Sequence, residues 1–116
     1  MVIVAVDDLM FSSRISSAAK ALGVPITLAR SPEAVVSAVR DKAPRLVIFD
    51  LNSRNVRPLE AIASLKADPA LAAVPTIGFV SHVQTDLIAE ARRAGVDQVL
   101  ARSAFVAQLA ELLQGP

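Results

Sequence analysis

Two acidic sites draw attention because each directly follows a short run of apolar residues. Asp7 and Asp8 follow the segment VIVAV, and Asp50 follows RLVIF. A carboxylate is expensive to bury alone, so an acid at the end of an apolar strand either reaches water or has a positive partner. Three carboxylates brought together would need a counter-charge, and a hard cation with oxygen ligands, Mg²⁺ before Ca²⁺, suits them. With a cation there, Asp50 could attack a phosphoryl group as a nucleophile.

Five apolar segments alternate along the chain with five segments of helical periodicity. The apolar segments are rich in valine and isoleucine and mostly lack polar alternation, which is typical of parallel strands covered on both faces. They span residues 2–6, 25–29, 45–49, 76–80 and 98–101. The helical segments are bounded by ordinary start and stop residues. These are Gly23, Ser31 with Pro32, Pro58, Thr85 or Asp86, and Gly95.

This alternation predicts an α/β fold with a single doubly wound parallel sheet. Crossovers in such a sheet are right-handed, and we expect a flavodoxin-like arrangement of five strands in the order 2-1-3-4-5 with five helices. In that order strands 1 and 3 are neighbours at the switch point, where ligands bind beyond the carboxyl ends of the strands. The acids after these two strands would therefore converge. Taken singly, Asp8 could instead be the N-cap of the first helix, and Asp50 a solvated strand end.

Composition narrows the possible functions. The chain has 116 residues, of which 53% are hydrophobic and 20% charged, with a formal net charge of +1. These values predict one compact domain over residues 1–116 and favour neither nucleic acid nor an anionic membrane as a partner. There is no cysteine, and His82 is the single histidine. Disulfides and a zinc site are therefore not expected, and we interpret His82 as a solvated loop residue.

Other sequence features exclude nucleotide-binding and membrane proteins. Neither GxGxxG nor a P-loop follows the first strand, and tryptophan and tyrosine, which commonly stack on flavins, are missing. No apolar run approaches the length of a membrane span, and the N-terminal MVIVAVDD lacks the pattern of a signal peptide. We therefore expect a cytoplasmic protein.

At its acidic positions the sequence resembles the receiver domain of two-component response regulators, over essentially its whole length. The segments VAVDDLMFSSRI and LVIFDLN carry the likeness. The resemblance implies that Asp50 is the phosphoacceptor and that Mg²⁺ is the cofactor. It also implies that Asp8 binds the metal directly, Asp7 binds it through water, and Asn52 contributes its backbone carbonyl, with Asp50 completing the metal site.

Several positions depart from the family pattern. Val80 occupies the place of a threonine or serine that bonds the phosphoryl group, leaving a hydroxyl only at Ser81. That donor is worth about 1–3 kcal/mol to a charged acceptor. Arg102, in the segment RSAF, replaces the lysine that pairs with the phosphoryl oxygen, and its planar guanidinium has a different geometry. Val99 stands where an aromatic switch residue is expected, and the loop SRNVRP after Asp50 also differs.

Three functional hypotheses follow. In the first, the protein is not an enzyme but a receiver domain of a phosphorelay. A histidine kinase or phosphotransfer protein would phosphorylate Asp50, with Arg102 and Ser81 assisting. The resemblance further implies a downstream protein partner, or a homodimer, on the face formed by helix 4, strand 5 and helix 5. In the second, the protein is a pseudo-receiver, an interaction module that works without phosphorylation. In the third and least favoured, it is a small hydrolase or ligand-binding domain using the same carboxylates.

Overall fold

A computed structural model describes residues 1–81 and 84–115 of the chain. The elements in chain order are β1 Val2–Ala5, α1 Leu9–Leu22, β2 Ile26–Leu28, α2 Pro32–Lys42, β3 Leu46–Asp50, α3 Pro58–Ala67, β4 Thr76–Val80, α4 Thr85–Ala94, β5 Gln98–Ala101 and α5 Arg102–Gln114. Within the described residues the strands form one sheet in the order β2-β1-β3-β4-β5. Every neighbouring pair is parallel. The predicted fold class and strand order are confirmed, and the expectation for His82 lies outside the described residues.

Two apolar layers cover the two faces of the sheet. Helices α1 and α5 pack on one face through residues such as Ile15, Phe105 and Leu113, which are fully buried. Helices α2, α3 and α4 pack on the other face, where Val35 and Ile62 contact the strands. Because both faces are covered, the central strands are apolar apart from Thr76 at the start of β4 and Asp50 at the end of β3. The part of the sheet that the helices do not cover is therefore the edge formed by the ends of the strands.

Local capping residues set where the helices begin and end. The Asp8 carboxylate accepts a hydrogen bond from the Phe11 N–H at 3.1 Å, and the Ser31 hydroxyl accepts one from Ala34 N–H at 3.1 Å. Gly23 ends α1 with φ at 71°, a left-handed conformation that glycine adopts without strain. Ala43 takes a similar conformation after α2, with φ at 43°. The sequence pattern did not predict that turn, because alanine rarely adopts it.

Strand register places the acidic segments side by side. Ala5 of β1 is paired with Phe49 of β3, so the residues that follow each strand leave the sheet at the same edge. Asp7 is two residues past Ala5, while Asp50 is one residue past Phe49. Since the two strands are parallel neighbours, Asp50 at the end of β3 and Asp7 just beyond β1 lie at the same edge of the sheet.

Gly78 makes room for the residue that follows Asp50. The Leu51 side chain is buried and occupies the space above Gly78 in β4, where a Cβ atom would lie 2.7 Å from Leu51 Cδ1 and 2.8 Å from Cγ. No side chain tolerates such an approach without displacement. The missing side chain at position 78 therefore leaves room for Leu51, the residue directly after Asp50.

We predict that Gly78→Ala lowers the free energy of unfolding by about 1–3 kcal/mol, because the added methyl group overpacks the site of Leu51. Leu51→Ala alone should cost about 2–5 kcal/mol through the cavity that it leaves. In the double variant the new methyl group partly fills that cavity, so the loss should be smaller than the sum. Urea denaturation of the four proteins measures this coupling. Strictly additive losses would contradict the proposed contact.

None of the helices in residues 1–81 and 84–115 combines the length and the apolar character that crossing a membrane requires.

Candidate functional site

Asp50 lies at the carboxyl end of β3 and is almost completely buried, with 5% of its surface exposed. Its Oδ1 accepts a hydrogen bond from the backbone N–H of Asn52 at 2.9 Å. The backbone around it is held as well, because the N–H of Ser53 donates to the Asp50 carbonyl at 3.1 Å and the N–H of Leu51 donates to the Phe79 carbonyl at 3.0 Å. The carboxylate is therefore fixed in direction by the turn that follows the strand.

Asp7 and Asp8 lie beside Asp50 but are more accessible to water. Asp7 is partly buried and Asp8 is exposed. Asp8 serves as the N-cap of α1 through Oδ1, while its Oδ2 lies 3.8 Å from the Arg102 guanidinium. The capping explanation and the pocket explanation for Asp8 are thus compatible, because the two oxygens of one carboxylate have different partners.

The electrostatic surroundings raise the pKa of Asp50. Burial is the largest cause, since it disfavours the charged carboxylate, and the negative charges of Asp7 and Asp8 act in the same direction. The hydrogen bond from the Asn52 N–H and the positive charge of Arg102 oppose this and favour the ionised form. Asp7, Asp8 and Arg102 are therefore close enough to influence the pKa of Asp50, the phosphoacceptor candidate.

Arg102 begins α5 and lies across an aromatic cluster. Its guanidinium carbon is 4.4 Å from the centroid of the Phe11 ring and 5.8 Å from that of Phe79. The Phe79 ring stacks on that of Phe105, with centroids 4.6 Å apart, and the Phe11 ring is tilted against both. A cation over a ring face is stabilised by the ring quadrupole. This seat directs Arg102 toward Asp8, which is its ion-pair partner within the described part of the chain.

Two features of Arg102 leave it chemically available. Its side chain is 35% exposed, and its Nε atom is buried without a hydrogen-bond partner among residues 1–81 and 84–115. A guanidinium has five N–H donors, so a single distant carboxylate oxygen uses little of its capacity. A cavity of about 680 Å³ beside it is lined by Ser81, Ser103 and Arg14, among others. An anion in this cavity would meet positive charge and hydroxyl groups.

Asn52 joins the loop after β3 to the loop after β4. Its Oδ1 accepts a hydrogen bond from the Ser81 N–H at 2.9 Å, and its Nδ2 donates to Oε1 of Gln84. Ser81 is exposed, whereas the preceding Val80 is buried in the apolar core with Val99 packed partly against the same cluster. The position for which a hydroxyl was expected thus contributes only packing.

The residues present suit a divalent cation of the Mg²⁺ type by their donor chemistry. Asp7, Asp8 and Asp50 provide carboxylate oxygens near one guanidinium, so the site carries an excess of negative charge. Among the described residues no group of three histidine, cysteine, aspartate or glutamate side chains is arranged to hold a metal on its own. Mg²⁺ commonly binds through only one or two carboxylates and keeps several waters. A backbone carbonyl such as that of Asn52 and water would therefore complete such a site.

Sequence reasoning placed the acids at the correct edge of the sheet but missed three features of the site. The side chain of Asn52 and its partner Gln84 were not considered, because their contact joins loops 32 residues apart. The seat of Arg102 over Phe11 was missed as well. An amide residue two positions after a strand-ending acid and a phenylalanine three positions after the acidic pair are the patterns that could have indicated them.

No protein-family model matches this sequence, and no curated protein matches it. Solved structures do match. The receiver domain of the Pseudomonas aeruginosa sensor histidine kinase PA1611, which has a magnesium ion coordinated in its active-site cleft, superposes with a TM-score of 0.81 at 16% identity, covering 99% of this chain and 97% of that one. The receiver domain of NtrX from Brucella abortus gives 0.76 at 19% identity, covering both chains completely.

A third similar structure is the phosphorylated cyanobacterial phytochrome response regulator RcpA. It gives a TM-score of 0.76 at 21% identity, and the match covers 98% of this chain and 88% of that chain. These matches extend over nearly the entire domain and share its strand order of β2-β1-β3-β4-β5 as the structural framework. The chain therefore has the receiver-domain fold of response regulators.

We predict that Asp50→Asn stabilises the metal-free protein at neutral pH. The folded state holds the proton of Asp50 more tightly than the unfolded chain, so the free energy of unfolding falls as the pH rises from the ordinary aspartate range through the raised pKa. Each tenfold difference in proton affinity is worth about 1.4 kcal/mol. The advantage of Asp50→Asn should therefore be present at pH 7 and shrink in acid.

Urea denaturation in EDTA at several pH values measures this difference. The control is Asp41→Asn, since Asp41 is an exposed acid on α2 away from the site. An advantage of Asp50→Asn that grows on acidification, or an equal effect of both variants, would contradict the prediction.

Proposed function

We propose that this protein is a phosphoacceptor domain of a two-component phosphorelay and that Asp50 receives the phosphoryl group. The observation that carries the proposal is a buried carboxylate, oriented by the Asn52 N–H, with Asp7 and Asp8 beside it at the carboxyl edge of a receiver-type sheet. The similar domains of PA1611 and RcpA, one with bound magnesium and one phosphorylated, support it. The phosphodonor would be a histidine kinase or a phosphotransfer protein.

The transfer needs little from the protein beyond charge and position. A carboxylate oxygen of Asp50 attacks phosphorus and forms a P–O bond, while the P–N bond of a phosphohistidine breaks and the imidazole nitrogen keeps the electron pair. Mg²⁺, held by Asp8, Asp50 and the Asn52 carbonyl with Asp7 acting through water, would neutralise phosphoryl oxygens. The orientation of Asp50 by its own turn lowers the entropy lost when the reacting atoms meet.

We propose that Arg102 and Ser81 stabilise the phosphoryl group once it is attached to Asp50. A phosphoryl group on Asp50 adds negative charge to an edge that already holds three carboxylates. Arg102 is the cation that acts on Asp50, and its side chain lines the neighbouring cavity. Ser81 follows Val80 directly, so its exposed hydroxyl is the group available where the family places a side-chain donor. We also propose that the protein is not an enzyme and that it is cytoplasmic.

A second candidate function is a pseudo-receiver that binds a partner without phosphorylation. It is favoured by Val80 and Val99, which give no polar or aromatic group to the path between the site and β5. The pairing of Arg102 with Asp8 rather than Asp50 also favours it. In both candidates the partner surface, or a homodimer contact, would be the face of α4, β5 and α5.

We predict that incubation with MgCl₂ and acetyl phosphate adds the mass of one phosphoryl group to the wild-type protein and none to Asp50→Asn. Asp41→Asn, an exposed acid on α2, should be modified like wild type. Intact-protein mass spectrometry measures the adduct, and peptide mapping locates it. No adduct in wild type, together with no heat of Mg²⁺ binding by calorimetry, would reject the phosphoacceptor function and favour the pseudo-receiver.

We further predict that Arg102→Ala binds Mg²⁺ more tightly than wild type. The guanidinium lies 3.8 Å from Asp8 Oδ2, so a cation that uses Asp8 must compete with it. A partly exposed ion pair contributes about 0.5–1 kcal/mol, which corresponds to roughly twofold to fivefold in affinity. Isothermal titration measures the change, and Arg102→Lys, which keeps the charge, should stay near wild type. Weaker Mg²⁺ binding by Arg102→Ala would contradict this competition.

A further inference from the structure

Asn52 is connected on both sides, to the phosphoacceptor candidate and to the next loop of the sheet. Its backbone N–H donates to Asp50 Oδ1 at 2.9 Å, while its side-chain carbonyl accepts from the Ser81 N–H at 2.9 Å. Its side-chain N–H donates to Gln84 Oε1. One partly buried residue therefore links Asp50 to both ends of the β4–α4 connection. The opposite roles of the two amide atoms also define the orientation of the side chain.

Gln84 is placed so that this link acts on α4. It occupies the N-cap position of the helix, and its backbone carbonyl accepts a hydrogen bond from the Ile88 N–H at 3.0 Å. Its side chain does not cap the helix, because its Oε1 is bonded to Asn52 instead. The first turn of α4 therefore has a tether to the acidic site in place of an ordinary side-chain cap.

The rest of α4 buries few side chains against the core. Ala91 is the buried residue of the helix, while Leu87 and Ile88 are only partly buried against the core. Such an element has a small free energy of local opening, so one or two hydrogen bonds at its first turn can decide its position. Val80 and Val99, which belong to the apolar core between the sheet and this helix, offer no polar group. The polar route runs through Asn52.

We propose that the Asn52–Gln84 hydrogen bond transmits the state of Asp50 to α4, with Asn52 and Gln84 acting as positioning residues. This inference rests on the proposed phosphoacceptor function. Attachment of a phosphoryl group converts one Asp50 oxygen into the bridging oxygen of an acyl phosphate, which is a poorer acceptor than a carboxylate oxygen. The other oxygen becomes a neutral carbonyl, which is also a weaker acceptor than a carboxylate oxygen, so the hydrogen bond from the Asn52 N–H weakens whichever oxygen is modified. The Asn52 side chain carries this change to Ser81 and Gln84.

The first experiment tests the tether without any phosphodonor. Gln84→Ala removes the acceptor of the Asn52 side chain and should speed amide exchange of Ile88 about fivefold, as expected for a hydrogen bond worth about 1 kcal/mol. Gln84→Glu keeps an oxygen acceptor and should exchange like wild type. Thr85→Ala alters an exposed neighbour in the same turn and should also match wild type. Unchanged exchange in Gln84→Ala would overturn the proposal.

The second experiment tests the transmission. Beryllofluoride with MgCl₂ serves as a phosphoryl analogue, and ¹⁹F NMR reports whether it is bound. We expect it to change Ile88 exchange in wild type and in Gln84→Glu. In Gln84→Ala it should bind equally well without this change, because Gln84 is not part of the binding site.

The outcomes separate the two proposals. A wild-type response that persists in Gln84→Ala, or bound beryllofluoride without any response of α4 in wild type, overturns the transmission alone. Failure of wild type to bind beryllofluoride overturns the phosphoacceptor function and, with it, the transmission.

Discussion

The structure depends on the burial of one carboxylate at the end of a central strand. Asp50 is 5% exposed, and burial is the main reason that its pKa is raised. A group in this situation is tolerated only where its surroundings supply compensation. Here the compensation is a backbone N–H from Asn52 and a guanidinium from Arg102. The first of these groups comes from the turn after β3 and the second from the start of α5.

The charge balance of the site explains why its residues suit a cation and why they do not enclose one completely. Asp7 and Asp8 add like charges next to Asp50, and the Asn52 N–H and Arg102 oppose their effect on its pKa. Arg102 is itself directed to Asp8 by its seat over Phe11. An incoming divalent cation therefore meets one guanidinium to displace and several oxygens to bind.

Much of the fold was predictable because its signals are local. The strands at 76–80 and 98–101 have the predicted bounds, since runs of buried apolar residues between turns define parallel strands well. Glycine stops also placed the ends of α1 and α4 correctly. The left-handed turn at Ala43 was not predictable, because the residue itself disfavours that conformation and only the packed structure enforces it. The same holds for Arg57 before α3.

The sequence alone indicated alternating strands and helices, a parallel sheet, and acids at the carboxyl ends of two strands, because hydrophobic periodicity and the handedness of crossovers are properties of the chain itself. The predicted order 2-1-3-4-5, which makes those two strands neighbours and brings Asp7, Asp8 and Asp50 to one edge, is one of several that these rules allow, and the tertiary structure has it. Only the tertiary structure decided which side chains of the site contact one another. It directs Arg102 to Asp8, and it joins Asn52 to the start of α4. Such contacts join side chains distant along the chain, and their geometry depends on packing that no local pattern encodes.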